Sequence, residues 1–442
     1  MRSAHRRADA LRAPAAPPAA PPPGRWTDRS LSTHEDHTCA TTEAGVVCWG
    51  ENTGVETDDA VTPRPTPVRV PTISADDLVA VQVRFRSGCA LHATGALSCW
   101  SRGVEQTAPT FHAGVVDFAL GDGPAICALL ATGELACKAL RYPDPRREVP
   151  PGSPPSWEPF PTPELGAVRR VMATLNGFCA IHSDGQLSCW DARKPAAASP
   201  DVDDAVRVSA YSNQGRCAVR RRGQVVCSGG GRIVARLSRV PGTALRGSLF
   251  EVPAVDDAVD VATGKDHGCA LRRSGRVACW GDDYAGQYGA GAYGGPDEPP
   301  VVREVSGVSD AVAIQAGDGF SCARRRSGAV SCWGTTSGGR LGNGALLEHP
   351  PTRVPELAGA TQLAVGYQFT CALDTVGRVA CLGAPEGAGA EGRGQRRRGC
   401  RACVRARRRG SGLVLGVEHV RAGHPAPPRR RARRRGGRGP VA

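Results

Sequence analysis

Cysteine is the residue type whose number and spacing could most readily do chemistry in this chain: eighteen occur among 442 residues. A regularly spaced, even set reads as disulfides in an oxidising compartment and as metal or redox chemistry in a reducing one. Sixteen of them form eight local pairs: Cys39 and Cys48, Cys89 and Cys99, Cys127 and Cys137, Cys179 and Cys189, Cys217 and Cys227, Cys269 and Cys279, Cys322 and Cys332, Cys371 and Cys381. The separation is ten residues in seven pairs and nine in the first. Cysteines directly opposed at a non-hydrogen-bonded position of two antiparallel strands have Cα atoms about 4.5 to 5.5 Å apart, within disulfide reach. Closing a loop of this length would contribute roughly 2 to 3 kcal/mol per bridge. Buried free thiols are the alternative, because Cys also packs as a small apolar residue. Zinc fits poorly, since no pair has the C-x₂₋₄-C spacing of a ligand set. Cys400 and Cys403 have the spacing of a redox motif, but they lie in an Arg-rich stretch without a βαβ pattern, and we read that spacing as coincidental.

Other reactive side chains are dispersed by the same regularity. His37 and His267 each stand two residues before a Cys, a position that elsewhere holds Ser87, Ala125, Gly177, Gly215, Phe320 and Phe369, so the sequence predicts structural histidines at blade edges. Asp pairs recur at Asp58/Asp59, Asp76/Asp77, Asp203/Asp204, Asp256/Asp257 and Asp282/Asp283. Most precede an apolar run, where turns favour Asp, and they read as solvated turns rather than calcium ligands. Trp49, Trp100, Trp190, Trp280 and Trp333 follow or nearly follow a second Cys and read as core. No P-loop, HExxH or G-x-S-x-G pattern occurs. The sequence therefore predicts no catalytic residue, no cofactor and no metal site.

The cysteines belong to a repeat. CALRRSGRVACWG (Cys269 to Gly281) stands beside CALHATGALSCW from Cys89, CALLATGELAC from Cys127, CAIHSDGQLSCW from Cys179, CAVRRRGQVVC from Cys217, CARRRSGAVSCWG from Cys322, CALDTVGRVAC from Cys371 and CATTEAGVVCWG from Cys39. Ala follows the first Cys in every copy, Gly lies six after it, and Val or Leu lies two before the second Cys. Units begin 38 to 53 residues apart, the period of a propeller blade. Each reads as a hairpin whose turn ends in a glycine able to take positive φ: Gly45, Gly95, Gly133, Gly185, Gly223, Gly275, Gly328 and Gly377. With Cys269 opposite Cys279, Leu271 falls opposite Val277 on the same face, and Ala270 and Ala278 share the other. Apolar residues on both faces predict a hairpin sandwiched between neighbouring sheets. Lead-in runs such as VDVATG (Val259 to Gly264) and VAIQAG (Val312 to Gly317), often preceded by Pro-containing runs such as PVVREV (Pro300 to Val305), are expected to complete four-stranded blades with the hairpins they precede.

The unit CALxxxGxVxCWG, followed once by GDDYAGQYGAG (Gly281 to Gly291) and once by GTTSGGRLGNG (Gly334 to Gly344), resembles the repeat of the regulator of chromosome condensation family. The resemblance covers about residues 33 to 392 and implies an all-β fold, a propeller of seven to eight four-stranded blades, seven being usual in the family. Lys138, Ser228 and Leu382 depart from the pattern by replacing the Trp after the second Cys, and the Gly-Gln-x-Gly turn is intact at Gly286 to Gly289 alone.

Charge separates the ends from the body. Residues 393–442 hold 17 Arg and one acid, Glu418, for +16, and residues 1–32 contribute +4, leaving −6 on the body out of a total of +14. That distribution argues against a nucleic-acid groove on the body and confines any such contact to the basic tail. Residues 1–32 read as a disordered Ala/Pro/Arg-rich linker and 393–442 as a disordered Arg/Gly/Pro-rich tail. Two other readings of the tail stay open: Leu413 to Gly423 could supply strands to the first hairpin, or the reading frame is lost there. No run approaches a membrane span, and Met1 to Arg29 lacks the apolar core of a signal peptide, which conflicts with the oxidising compartment that the cysteine pairs favour. The sequence leads to a monomeric, non-enzymatic propeller that binds an unidentified protein outside the cytoplasm (extracellular, periplasmic or cell-surface). An intracellular nucleotide-exchange or chromatin-associated regulator is the alternative, and an enzyme built in the central channel the third class.

Overall fold

The computed structural model describes residues 31–34, 37–42, 45–50, 64–70, 73, 77–84, 87–101, 111, 114–121, 125–141, 156–159, 162, 165–174, 177–191, 194–199, 202–212, 215–229, 231–246, 249–291, 301–335, 349–366, 369–375, 379–383, 402–409 and 412–419. These residues form eight antiparallel sheets, one per hairpin, here numbered as blades 1 to 8 in chain order. Blade 6 is typical. Ala258–Thr263 is its first strand, His267–Arg272 and Val277–Gly281 are the hairpin, and Arg303–Glu304 is the outer strand. Cys269 faces Cys279, Ala270 faces Ala278 and Leu271 faces Val277, the register expected from the alternation. Gly275 closes the turn at φ +85°. Six of the other turn glycines also have positive φ, and Gly377 lies outside the described residues.

One expectation is corrected. The Pro-containing run before each lead-in does not join the hairpin that follows it. Arg303 pairs with Cys279, and Thr352 of His349–Val354 pairs with Cys332, so each run is the fourth strand of the blade before it. An outermost strand leaves one row of backbone N–H groups unpaired, which is where a sheet tolerates Pro. Within the tail expected to be disordered, Ala402–Arg409 and Gly412–His419 run as paired strands, joined to blade 8 through Ala380 and Cys403.

The two faces of each hairpin do different packing work. The face of Cys269, Leu271, Val277 and Cys279 packs on Ala311, Ile314, Ala323 and Trp333 of blade 7. The opposite face, Ala270, Ala278 and Trp280, receives Cys217, Val219, Val225 and Cys227 of blade 5. The same cysteine-face-on-alanine-face contact recurs between the other successive blades. It also joins the last blade to the first: Phe369, Cys371 and Val379 pack with Leu31, Ala40 and Val47, and Thr38 Oγ1 lies 3.5 Å from Cys371 Sγ. The succession of contacts thus returns to its start, and the eight sheets form a propeller.

Phe369 is 6% exposed in this closing contact. Large-to-small replacement in a core costs about 3 to 5 kcal/mol for Phe to Ala. Phe369→Ala is therefore expected to lower unfolding stability by that order, as is Phe320→Ala at the equivalent contact between blades 7 and 8. Denaturant midpoints of the two variants check this, and an unaffected Phe369→Ala would deny that blades 8 and 1 meet.

Candidate binding surface

The structure joins each predicted cysteine pair, with Cα atoms 4.0 to 4.1 Å apart. All sixteen side chains lie against a neighbouring sheet rather than in a cleft. Cys403 has only its backbone strand described and Cys400 lies outside the described residues. No cluster of three or more metal-ligating side chains occurs among the described residues, and none of their helices is long and apolar enough to cross a membrane. Trp280 and Trp333 are fully buried, and Trp100 and Trp190 nearly so, while the Trp49 side chain lies outside the described set.

In two hairpins, blades 2 and 6, a Gly faces the Trp that follows the second Cys. A Cβ on Gly268, the residue before the first Cys, would come within 2.8 Å of the Trp280 ring opposite, so Gly makes room for Trp there. Elsewhere the facing residue varies: Phe178 faces Trp190 and Ser321 faces Trp333. Ile126 faces Lys138, Thr370 faces Leu382, and Arg216 faces Ser228 and donates from Nε to its Oγ at 2.9 Å.

The Asp pairs have a purpose that sequence reasoning missed. In four blades the residue three after the first Cys reaches the Asp that precedes the lead-in strand of its own blade. Arg220 Nε lies 2.6 Å from Asp204, Arg272 Nε 2.7 Å from Asp257, Arg325 Nε 2.5 Å from Asp310, and His92 Nδ1 2.8 Å from Asp77. Each lock ties a hairpin turn to the start of the innermost strand. A cation three after Cys and an Asp fifteen or sixteen before it were both visible in the sequence, but their coupling needs the register. Asp58, Asp59 and Asp76 lie outside the described residues.

His267 and the loop that follows Gly281 lie at the other end of the blade. His267 is wholly buried, and its Nε2 lies 2.7 Å from Ser321 Oγ of blade 7. It is a strut between blades, as expected of it; the His37 side chain is outside the described set. Burial pushes the His267 ring down to about 4, while the carboxylates of Asp318 and Asp282 pull the other way. The loop Gly281–Gly291 is tied at several points. Tyr288 donates its hydroxyl to Gly281 O at 2.7 Å and its N–H to Asp283 Oδ1 at 2.7 Å, and Ala285 N–H donates to Gln287 Oε1 at 2.8 Å. Trp333 Nε1 of blade 7 donates to Gln287 O at 2.9 Å. Gly289, at φ +62°, sits so close to the Trp333 ring that a Cβ would be 2.8 Å from it. The Gly-Gln-x-Gly turn is thus a seat for the next blade's tryptophan.

Blade 5 clamps this loop from its other side. A short helix, Arg232–Leu237, stands between the third strand of blade 5 and its outer strands. Arg232 NH1 and Arg236 Nε reach the two oxygens of Asp282 at 2.9 and 2.7 Å. A carboxylate this buried is retained only when well paired. What the clamped loop leaves outward is Tyr284, 52% exposed, with Asp318, Asp266, Asp282 and Arg232 close enough to act on it electrostatically. Tyr293 lies outside the described residues.

A ring of repeated antiparallel blades, each built on a cysteine-paired hairpin, defines a β-propeller. Residues 258–287 match the regulator of chromosome condensation (RCC1) repeat. A 115-residue stretch is 36% identical to the human probable E3 ubiquitin-protein ligase HERC3, and a 106-residue stretch is 33% identical to human HERC2; these cover 25% and 24% of this chain. The chain spans only 11% and 2% of those two proteins. Among solved structures, a chain in the crystal structure of Kap60 bound to yeast RCC1 (Prp20) superposes with TM-score 0.50 at 15% identity, covering 88% of this chain and 89% of that one. That likeness concerns the fold. The sequence match to the RCC1 repeat lies in blade 6, in residues 258–287.

The depressed His267 gives stability a definite pH dependence. The unfolded ring takes a proton below its ordinary value of 6.5 and the folded ring only near 4, so this contribution is complete above pH 6.5 and is lost as pH falls towards 4. By linkage the loss amounts to roughly 2 kcal/mol at pH 5. His267→Asn is expected to be less stable at pH 7 and to show a flatter stability profile between pH 7 and 5. Parallel profiles for variant and wild type would rule the assignment out.

Proposed function

We propose that this chain is a non-enzymatic propeller scaffold that binds another protein through the loops at the His267 end of its blades, in an oxidising, extracytoplasmic setting. The observation that carries the reading is the loop Gly281–Gly291, whose backbone is fixed by blades 5 and 7 while Tyr284 projects from it. A pre-fixed loop orders little on binding, so its side chains contribute more of their contact energy. Tyr is among the residues that dominate interfaces when they present a large rigid surface. Eight cysteine pairs at disulfide distance favour the compartment, since such bridges persist where glutathione does not reduce them.

Two measurements test the parts separately. Tyr284→Ala should reduce capture of the partner by the full chain at least tenfold in affinity while leaving the thermal midpoint within a degree or two of wild type. Equal capture by both proteins would rule out this loop as the contact. Thiol counting on denatured, unreduced protein should detect no more than the two cysteines of Cys400 and Cys403. About sixteen additional free thiols would remove the oxidising setting and favour the intracellular exchange or chromatin-associated regulator instead.

A further inference from the structure

The hairpin turns stand at the end of the blades opposite Tyr284, because each strand of the hairpin runs the height of the sheet, about 17 to 20 Å for six residues. The residue four after the first Cys occupies the tip of the turn in blades 2 to 7. The fold uses only its backbone there: its N–H donates to a carbonyl before the lead-in strand, whether the residue is Ala93, Ala131, Ser183, Arg221, Arg273 or Arg326. Blade 8 has Thr375 at this position. Small side chains therefore suffice in blades 2, 3, 4 and 8, and arginine appears in three consecutive blades, 5, 6 and 7.

These arginines are not the ones that lock the turns. Arg220, Arg272 and Arg325 are spent on Asp204, Asp257 and Asp310. Arg221, Arg222, Arg273 and Arg326 are exposed. Among the described residues no carboxylate pairs with Arg222, Arg273 or Arg326, and Arg221 reaches only the Asp184 carbonyl, at 3.4 Å. Arg276, bonded to Glu304 at 2.7 Å, extends the series within blade 6. An arc of guanidinium groups thus follows the ring over three blades, on a body whose overall charge is negative.

We propose that this arc is a docking surface for an acidic segment of a protein, rich in Asp and Glu. Guanidinium groups bind carboxylates through paired hydrogen bonds, and their spacing here is set by rigid blades. Nucleic acid is the poorer fit. The three turns carry no aromatic residue on which a base could stack, and the exposed Asp203, Asp256 and Glu304 interrupt the arc where a phosphate backbone would run. The proposal rests on the scaffold reading but uses the opposite end of the molecule, so the two can fail independently.

The test uses the full oxidised chain and a fluorescent, benzophenone-bearing peptide of ten alternating Glu and Asp residues. Anisotropy should show salt-sensitive binding, weakened at least tenfold by the combined Arg221→Ala, Arg273→Ala and Arg326→Ala substitutions, with an unchanged thermal midpoint. Photo-crosslinks should map to 217–227, 269–279 and 322–332, and Tyr284→Ala should bind the peptide normally. Equal peptide affinity of wild type and triple variant, or crosslinks confined to the Arg-rich residues 393–442, would overturn the proposal. So would a labelled single-stranded DNA whose affinity falls more than the peptide's in the triple variant. Equal capture of the partner by wild type and Tyr284→Ala, with peptide binding as expected, would count against the first reading alone.

Discussion

One contact between unlike faces holds the molecule together: a disulfide-bearing hairpin face pressed against an alanine face of the next blade. The cysteine face is thick, carrying two sulfurs and two larger aliphatic side chains such as Leu271 and Val277. The alanine face is thin, and the Trp at its end fills the volume that Ala270 and Ala278 leave. Thick against thin repeats without a gap only if every blade presents the same pair of faces in the same order. That condition is also what brings Phe369, Cys371 and Val379 onto Ala40 and Val47. The bridge within each hairpin fixes the separation of its two strands, so it sets the shape of the face it serves as well as constraining the unfolded chain.

Polar groups follow the same geometry. Hydroxyls placed just before the first Cys touch the sulfur of the preceding blade, as Ser321 does with Cys269 and Thr370 with Cys322. Nearer the axis, Ser209 and Thr263 meet at 3.0 Å, and Gln82 donates to Phe118 O at 2.6 Å. These contacts link consecutive blades through side chains where no backbone ladder runs. Buried polar groups of this sort must be satisfied or removed, and here each is met by a residue one repeat away. The separations in these pairs, 36 residues for Gln82 and Phe118 and 48 to 54 for the others, follow the unequal lengths of the repeat units.

The hairpins, their register and their face assignment were legible in the sequence because period-2 alternation and fixed Cys spacing act within thirteen residues. The ownership of the Pro-containing strands was not, since a run midway between two hairpins carries no local sign of which one it pairs with. Nor were the Asp locks: Asp257 and Arg272 each read as an ordinary turn residue until the first strand brings them within 2.7 Å. Tyr284 was accessible as a guess from its loop, but its fixed seat depends on Arg236 from one blade and Trp333 from another, 48 and 49 residues away in opposite directions. Local pattern gives the blade, and what lies between blades requires the ring.

A strongly periodic fold also separates structural from functional residues more sharply than an irregular one does. The described turns show what such a turn needs, namely a backbone N–H at its tip, a positive-φ glycine and, in several blades, a side chain for the Asp. A side chain that exceeds this requirement in adjacent copies alone is not explained by folding. Arg221, Arg273 and Arg326 exceed it in that way, and so does the clamped loop around Tyr284, which blade 6 builds at the cost of burying Asp282 between two guanidinium groups. Burying that carboxylate is unfavourable unless both partners stay in place. The loop's rigidity is therefore maintained on one side by Tyr288 and Trp333, which belong to the cysteine-face contact, and on the other by the Asp282 clamp, an addition that the ring contact itself does not require.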